Sequence, residues 1–414
     1  MITDVPAAPA TLGSAPLASL LSPDVGVVHR VDSGVTQWDH PRLAPAFAQL
    51  CDTRPVLDIA QQARPGGLAH DLAGARVSAA GEAVERYSAA HVPYSRLRVA
   101  VRAELEGPVA EPDWLDRSAA RPPSHWVAGH LLRDDRPATP AWVAASRAFL
   151  ADVDHDLAAM HPTSTGLACH PDPWAALAAG LLEVVERDAF MLTWLLQRAV
   201  VPLAGRFAWR TPHGGVVDFD RAIETYRLFL LPSPTGIPVV LGVAFGRRGQ
   251  PAVAVGAGAH PDLGRACRRA LVETQQTFQW AAHMLARGDE PPAEPDDCAD
   301  FDDHVAYYLR PERLTAFEFL FESPLPTRDV DLDSPAATVT GEPLAREITS
   351  RVVGAGFDPY AVDVTSPDVR TAGLWVVRAV IDGMYPLLVG TTVRPDLPRL
   401  PIDRPVNPDP HPFP

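Results

Sequence analysis

Three pairs of acidic or amide residues stand out because the members of each pair are three residues apart. These pairs are Glu82 and Glu85, Glu183 and Glu186, and Glu273 and Gln276. A spacing of three places both side chains of a pair on one face of a helix. Carboxylates grouped in this way can bind a cation, and Arg86 and Arg187, which directly follow the first two pairs, can bind an anion.

The three pairs occupy equivalent positions in similar stretches of sequence. An aspartate lies eleven residues before the first member of each pair, as Asp71, Asp172 and Asp262. Aspartate is a preferred helix N-cap, and Pro173 suits the first helical position. The second and third stretches share His-Pro-Asp at an offset of 90 residues. We therefore predict an α/β fold with internally repeated strand–helix units, whose helices lie around residues 78–90, 174–198 and 264–287.

The surroundings of Glu183 and Glu186 distinguish between two interpretations of the acidic pairs. One isolated pair is most simply a solvated helix face with local ion pairs. These two residues, however, lie between the apolar runs 176–182 and 189–196, so their helix is predicted to be mostly buried. Buried carboxylates need a compensating cation, and ligand sets made only of oxygen suit Mg²⁺. Three pairs in register therefore favour a magnesium site.

The chain of 414 residues has no lysine, since all 36 of its basic residues are arginine. This excludes a P-loop, which needs its lysine, and it excludes Schiff-base chemistry. A strong codon bias is the simplest cause, because Ala, Arg and Pro are abundant. Phosphate must then be bound by arginine, backbone amides or a metal ion.

The remaining composition excludes several other classes of protein. A net charge of −15 disfavours nucleic acid and anionic membranes as partners. No signal peptide and no apolar run of membrane-spanning length occur, so we predict a cytoplasmic protein. The four cysteines are scattered, which indicates neither a disulfide framework nor a thiolate zinc site.

The chain divides into an arm, a main domain and a tail. Residues 1–20 are rich in Ala, Pro and Ser and predict an irregular arm, whereas residues 21–414 form one domain. Within this domain, 289–303 carries eight carboxylates and predicts a solvated loop. The runs Leu374–Val380 and Tyr385–Val389 predict strands, and the proline-rich tail 395–414 cannot be helical.

Six segments together resemble the successive motifs of the YcaO-domain family, in the order of the family. They are Gly81–Ser88, Thr163–Ala168, Leu182–Ala189, Arg269–Gln276, Val362–Val369 and Trp375–Val380. The resemblance extends from about residue 20 to the end of the chain. It implies an ATP- and Mg²⁺-dependent enzyme acting on peptide backbones. The ending Pro410-His-Pro-Phe-Pro414 resembles that of azoline-forming cyclodehydratases, which convert Cys, Ser or Thr of a ribosomal precursor peptide to thiazoline or oxazoline, as in thiazole/oxazole-modified microcins.

The resemblance also implies roles for individual residues. The implied metal ligands are Glu82, Glu85, Glu183 and Glu186. The implied ATP-binding residues are Ser164, Arg86, Arg187, Arg269, Glu273 and Gln276. The implied catalytic tail contains Pro410, His411, Pro412 and Pro414, with the His411 imidazole and the terminal carboxylate of Pro414 available for proton transfer. Thr165, Cys169 and Asp382 depart from the residues usual in the family, and we interpret Cys169 as a small buried thiol.

The resemblance leaves no room for a ubiquitin-activating-like domain, so we expect a separate partner protein of that kind to bind the leader peptide of the precursor. It leaves open a flavin dehydrogenase that oxidises the rings, and a homodimer. Two alternatives to ring formation also remain. One is a YcaO enzyme that forms a backbone thioamide or amidine, and the other is a catalytically silent scaffold that binds nucleotide.

Overall fold

The structure is a computed structural model, and it describes residues 15–36, 39–54, 65–111, 123–133, 138–151, 153, 163–334, 339–389, 399–400 and 406–413. Residues 1–14 of the predicted arm and residues 395–398, 401–405 and 414 of the predicted tail lie outside the described residues.

The described chain contains both helices and strands, which confirms a mixed α/β fold. The helices are α1 (Ala15–Ser19), α2 (Leu72–Ala90), α3 (Ala145–Ala148), α4 (Pro173–Leu196), α5 (Leu263–Arg287), α6 (Phe301–Tyr307), α7 (Glu318–Phe321), α8 (Gly341–Gly354) and α9 (Pro367–Thr371). The strands are β1 (Val28–Ser33), β2 (Ala44–Leu50), β3 (Gly66–Ala69), β4 (Arg98–Ala100), β5 (Val109–Ala110), β6 (Ser124–Leu131), β7 (Thr139–Ala144), β8 (Leu167–His170), β9 (Val201–Ala204), β10 (Ala208–Arg210), β11 (Val216–Asp218), β12 (Thr225–Leu231), β13 (Val239–Phe245), β14 (Val253–Ala259), β15 (Arg328–Asp329), β16 (Asp358–Asp363) and β17 (Trp375–Asp382).

The strands form four sheets within the part of the chain that the structure describes. The largest has the order β5-β7-β6-β16-β17-β8, with β4 also paired to β6. The second is β14-β13-β12-β9-β15, the third is β1-β2-β3, and β10 pairs with β11. Most neighbouring strands are antiparallel, whereas β15 pairs with β9, and β5 with β7, in parallel.

The helices α2, α4 and α5 each begin at the edge of a different sheet. The strands that precede them are β3, β8 and β14, and each of these is the terminal strand of its sheet. Each helix contacts its own preceding strand and also the strand of the next unit: α2 contacts β8, α4 contacts β14, and α5 contacts β3. The three units therefore meet in a ring, which brings their helices to a common centre.

The N-caps predicted for these three helices are confirmed. The side chains of Asp71, Asp172 and Asp262 accept hydrogen bonds from the backbone N–H groups of Gly74, Trp174 and Arg265 at 2.7, 3.0 and 2.8 Å. In both His-Pro-Asp turns, histidine Nδ1 accepts the N–H of the capping aspartate at 2.9 Å. These bonds satisfy donors that a helix start leaves unpaired, so the starting residue of each helix is fixed locally.

The most buried helix is α4, which contacts both large sheets. It packs against β17 and β8 on one side, β13 and β14 on the other, and α8. Its apolar residues belong to the largest core cluster of the protein. The expectation of a buried, apolar helix around Glu183 and Glu186 is confirmed.

One local expectation was wrong. Tyr385–Val389 is not a strand, because its backbone pairs with side chains instead of a neighbouring strand: Tyr385 N–H donates to Asp188, and the Leu388 carbonyl accepts from His411. The acidic segment is an exposed or half-exposed loop over most of 289–300, in which Cys298 is buried. Its last residues start α6, which Asp300 caps.

Candidate functional site

The acidic pairs of α2, α4 and α5 meet where the three helices converge. Glu183 of α4 interacts electrostatically with Glu85 of α2 and with Glu273 of α5, and Glu273 also interacts with Glu186. Residues separated by as much as 188 positions along the chain thus form one carboxylate cluster. Each pair begins eleven residues after the aspartate that caps its helix, so the three pairs lie at the same distance along their helices.

Helix α2 contributes an ion pair and an isolated carboxylate. The Nε and Nη2 atoms of Arg86 donate to Glu82 Oε1 at 3.1 and 2.7 Å, one helical turn apart. Glu85 has no such direct hydrogen bond among the described residues. Its burial, followed by the charges of Glu183 and Glu82, raises its pKa well above the usual value. A cation beside Glu85 would reverse that shift.

Helix α4 contributes two carboxylates of different exposure. Glu183 Oε2 accepts the backbone N–H of Gly166 at 2.8 Å, and its side chain keeps 26% of its surface exposed. The Glu186 side chain is 8% exposed, and burial raises its pKa despite the nearby guanidinium of Arg187. Gly166 has φ +88°, and a Cβ there would come within 2.2 Å of the Ala379 carbonyl. Glycine is therefore needed for the close approach of this turn to α4 and β17.

Arg187 is held loosely by the cluster and has spare donors. Its Nη2 lies 3.5 Å from Glu183 Oε1 and its Nε 4.0 Å from Glu186 Oε1. Its Nε and Nη1 atoms are buried and have no hydrogen-bond partner among the described residues. Buried guanidinium donors without a partner are costly, so they mark a place for an anionic group.

Helix α5 completes the cluster. Burial, followed by the charge of Glu186, raises the pKa of Glu273 to about 8. Gln276 Nε2 donates to the Gly66 carbonyl at 3.4 Å, and Arg269 Nη1 donates to the Ala259 carbonyl at 3.2 Å. Arg269 also interacts electrostatically with Glu186 and Glu273, so it borders the cluster.

Ser164 lies in the turn before β8. Its carbonyl accepts the N–H of Leu167 at 2.9 Å, and its side chain is half-buried. The turn that contains it also provides Gly166 to Glu183 and the Thr163 carbonyl to an arginine of β17. Ser164 therefore lies in the same turn as contacts to the carboxylate cluster, as its predicted role requires.

Arg378 of β17 belongs to the site, although the sequence interpretation gave it no role. Its Nη1 donates to Thr163 at 2.8 Å, it interacts electrostatically with Glu183 and Glu85, and its buried Nε has no partner among the described residues. Burial lowers its pKa to about 10, so it stays protonated at neutral pH. The signal that identifies it is a single arginine in the otherwise apolar run Trp375–Ile381.

The arrangement fits a triphosphate with magnesium. Carboxylate oxygens are the donors that Mg²⁺ prefers, and burial, followed by neighbouring carboxylates for Glu85 and Glu273, raises the pKa values of Glu85, Glu186 and Glu273. The unpartnered donors of Arg187 and Arg378 supply the opposite charge that phosphates require. Burial raises the pKa of the neighbouring Cys169 to about 12, which disfavours the thiolate form.

Residues 406–413 of the C-terminal tail lie against α4 and α6. Asn407 N–H donates to the Leu195 carbonyl at 2.8 Å, and Trp194 Nε1 donates to the Asp409 carbonyl at 3.0 Å. The Tyr308 hydroxyl donates to the Pro410 carbonyl at 2.5 Å. Each of these three hydrogen bonds uses a backbone group of the tail, so the extended, proline-rich chain is bound at several points.

The tail leads to the carboxylate cluster through Phe413. This ring is 2% exposed, lies 4.9 Å from the ring of Phe190, and has the Arg187 guanidinium 3.8 Å from its centroid. Arg187 thus has the acidic cluster and the tail as neighbours. Pro410 and Pro412 are buried beside Phe413, whereas Pro414 lies outside the described residues.

Both ring nitrogens of His411, which the resemblance offers for proton transfer together with the Pro414 carboxylate, are engaged in hydrogen bonds. Its Nε2–H donates to the Leu388 carbonyl at 2.6 Å, and its Nδ1 accepts the N–H of Phe413 at 3.3 Å. Burial, followed by the neighbouring His304, holds the pKa of His411 well below its usual value. With both ring nitrogens engaged, this neutral imidazole anchors the tail.

The chain is similar to several known proteins. The family described as "YcaO cyclodehydratase, ATP- and Mg²⁺-binding" matches residues 66–385. A YcaO protein from Methanopyrus kandleri, solved with AMPPCP and Mg²⁺, is 25% identical with a TM-score of 0.63, over 88% of this chain and 90% of that one. A search among curated proteins gave no match.

Two further solved structures share the fold at lower identity. A heterocyclase in complex with substrate and cofactor is 21% identical with a TM-score of 0.72, over 97% of this chain and 57% of that one. A chain of the E. coli microcin synthetase McbBCD complex with pro-MccB17 bound is 14% identical with a TM-score of 0.62, over 93% of this chain and 96% of that one.

The family match and the shared fold define the class: the chain has the fold of an ATP- and Mg²⁺-binding enzyme family. Because the family match covers more than half of the sequence, the chain belongs to the YcaO family. ATP and Mg²⁺ are its cofactors. No helix in the described part of the chain has the length and apolar character needed to cross a membrane.

Proposed function

We propose that this protein is an azoline-forming cyclodehydratase, which converts Cys, Ser or Thr of a ribosomal precursor peptide to thiazoline or oxazoline. The observation that carries the proposal is the contact of Phe413 with Arg187, which brings the end of the tail to the carboxylate cluster. In the overall reaction the side chain of Cys, Ser or Thr adds to the preceding amide carbonyl, and the carbonyl oxygen is lost. When bound, ATP supplies the phosphoryl group that makes this oxygen a good leaving group.

The acidic and the basic residues of the cluster would bind different parts of Mg-ATP. Glu82, Glu85, Glu183 and Glu186 would hold Mg²⁺, while Arg86, Arg187, Arg269 and Arg378 would balance the phosphate charge. Ser164, Glu273 and Gln276 would complete the nucleotide site. Because these side chains lie on three capped helices, one turn and one buried strand, they are positioned before the nucleotide arrives, as electrostatic catalysis requires.

The tail would contribute the group that moves the proton. Both ring nitrogens of His411 are engaged, which leaves the terminal carboxylate of Pro414, one residue beyond the ring that packs on Arg187. A carboxylate there would accept the proton of the attacking thiol or hydroxyl, and later donate it. The stiffness of Pro410 and Pro412 would limit the entropy lost when the tail docks.

A separate protein would present the substrate. We propose a ubiquitin-activating-like partner that binds the leader peptide. The solved relatives include a heterocyclase with substrate and a microcin synthetase complex with a precursor bound, which supports an enzyme that works on peptides within an assembly. A flavin dehydrogenase would follow where the rings are oxidised, and the protein would work in the cytoplasm.

The test is reconstitution with the partner protein, a candidate precursor and Mg-ATP, followed by mass spectrometry of the peptide. Loss of one water for each Cys, Ser or Thr ring supports the proposal, and Glu186→Gln should give no product although it folds. Exchange of oxygen for sulfur at an amide would instead show a thioamide-forming enzyme. An unchanged peptide, with ATP bound but not consumed, would show a silent scaffold.

A further inference from the structure

A second group of candidate ligands lies at the start of α2, away from the carboxylate cluster. His70 and Asp71 precede this helix, and His213 comes from the turn between β10 and β11. One ligand atom of each residue lies within 4.8 Å of the others. Eleven residues separate Asp71 from Glu82, which corresponds to about 16 Å along a helix. The group is therefore separate from the nucleotide site.

Two distances within the group are close to those between ligands of one metal ion. Asp71 Oδ2 lies 3.0 Å from His70 Nε2 and 3.6 Å from His213 Nε2. Bonds of about 2.0–2.2 Å to a tetrahedral zinc ion place neighbouring ligand atoms about 3.3–3.6 Å apart. The third distance, between the two histidines, is within 4.8 Å, so the two imidazoles would have to move closer together around one ion.

The two oxygens of Asp71 have different tasks. Oδ1 accepts the backbone N–H of Gly74 at 2.7 Å as the cap of α2, so the carboxylate is fixed by the helix. Oδ2 faces the two histidines. In protein metal sites, a ligand residue is usually oriented toward the metal by a hydrogen bond to another group of the protein.

The turn that carries His213 is also ordered. Thr211 N–H donates to the Gly215 carbonyl at 2.8 Å, and its hydroxyl accepts the Gly215 N–H at 3.0 Å. Gly214 has φ +80°, which lets the turn close tightly next to His213. The third candidate ligand is thus presented by a closed hairpin.

We propose that His70, Asp71 and His213 form a site for a zinc-class divalent metal ion that joins the β10–β11 hairpin to the start of α2. The histidine side chains keep 35% and 76% of their surface exposed, so the fourth position is open to water. Two imidazoles and one carboxylate suit Zn²⁺, Ni²⁺ or Cu²⁺, whereas Mg²⁺ prefers oxygen ligands. The site binds a metal different from that of the nucleotide site, on the helix that carries Glu82 and Glu85.

The test is calorimetric titration of the full chain with ZnCl₂ in excess MgCl₂, which keeps hard-cation sites filled. We expect one zinc ion per chain from this site, and at least tenfold weaker binding in His213→Ala and in Asp71→Asn. Asp71→Asn retains the capping oxygen, because Asn caps helices as well as Asp, so lost affinity there is not lost folding. His283→Ala changes an exposed histidine elsewhere and should bind zinc as the unaltered chain does.

A second readout uses Co²⁺ in place of zinc. The visible absorption of bound Co²⁺ reports nitrogen and oxygen ligation, and it should disappear in His213→Ala but remain in His283→Ala. Zinc affinity within tenfold of the unaltered chain in both His213→Ala and Asp71→Asn would overturn the proposal. So would an unaltered chain that binds no zinc.

Discussion

Replacing Glu273 by glutamine should stabilise the metal-free protein while it damages the nucleotide site. Burial, followed by the charge of Glu186, raises the pKa of Glu273 from 4.5 to about 8. The folded state therefore binds a proton that the unfolded state has released between these two values. Stability falls as the pH rises through that window, because the folded state has to keep a proton that the unfolded chain releases, and above about pH 8 the folded carboxylate is charged among other carboxylates. Glutamine removes this charge at every pH.

The magnitude follows from the pKa. At about pH 7 the 2.5 units above 4.5 correspond to an upper bound of about 3 kcal/mol, at about 1.36 kcal/mol per unit. Glu273 is not fully buried and its charge is shared with Glu186, so we expect a gain of about 1–2 kcal/mol. At about pH 4.5 the gain should be nearly absent, since Glu273 is then protonated in the folded state.

The assay is urea unfolding of both proteins without Mg²⁺ at about pH 4.5, 7 and 8. Glu342→Gln, an exposed glutamate paired with Arg346, is the matched control and should not gain stability. Adding Mg²⁺ should stabilise the unaltered protein more than Glu273→Gln, and should release protons from the unaltered protein near neutral pH. Two results would refute the assignment of Glu273 to a buried carboxylate cluster. One is that Glu273→Gln is no more stable than the unaltered protein at about pH 8. The other is that its gain in the free energy of unfolding at about pH 4.5 equals its gain at about pH 8.

Three further predictions concern the same site. Glu186→Gln should lower ATP consumption by about 100-fold or more while the circular dichroism spectrum is retained, and full turnover would contradict the metal-site assignment. Phe413→Ala should weaken tail docking by about 3 kcal/mol and let carboxypeptidase digest the tail sooner. Phe321→Ala, which changes a half-exposed phenylalanine, should leave the digestion unchanged. If the Phe413→Ala and unaltered proteins are digested at the same rate, the tail is not docked through Phe413. Arg378→Met should weaken Mg-ATP binding by at least about tenfold in calorimetry, because a phosphate partner is lost; unchanged binding would remove Arg378 from the site.

The parts of the structure that sequence could predict are those fixed by local chemistry. The aspartate caps and the spacing of the glutamates follow from residues a few positions apart, so both the helix starts and the faces of the acidic pairs were predictable. The apolar residues around Glu186 likewise predicted its burial.

The remaining features depend on contacts between distant segments. Tyr385–Val389 has the composition of a strand, yet Asp188 and His411 take its hydrogen bonds from elsewhere in the chain. His411 has the residue type of a proton carrier, but the packing of the tail engages both of its ring nitrogens. Arg378 joins the site because β17 pairs with β8, a relation that no local pattern shows.

The central claim is that the carboxylate–arginine cluster uses ATP to remove the oxygen of a substrate amide. The most direct measurement places a heavy-oxygen label in the carbonyl that precedes a Cys of the precursor, and then follows the label during reconstitution with Mg-ATP. We predict that the label appears in inorganic phosphate, one label for each ring formed. The Glu186→Gln variant should form no ring and no labelled phosphate. Ring formation with the label released in water would contradict it.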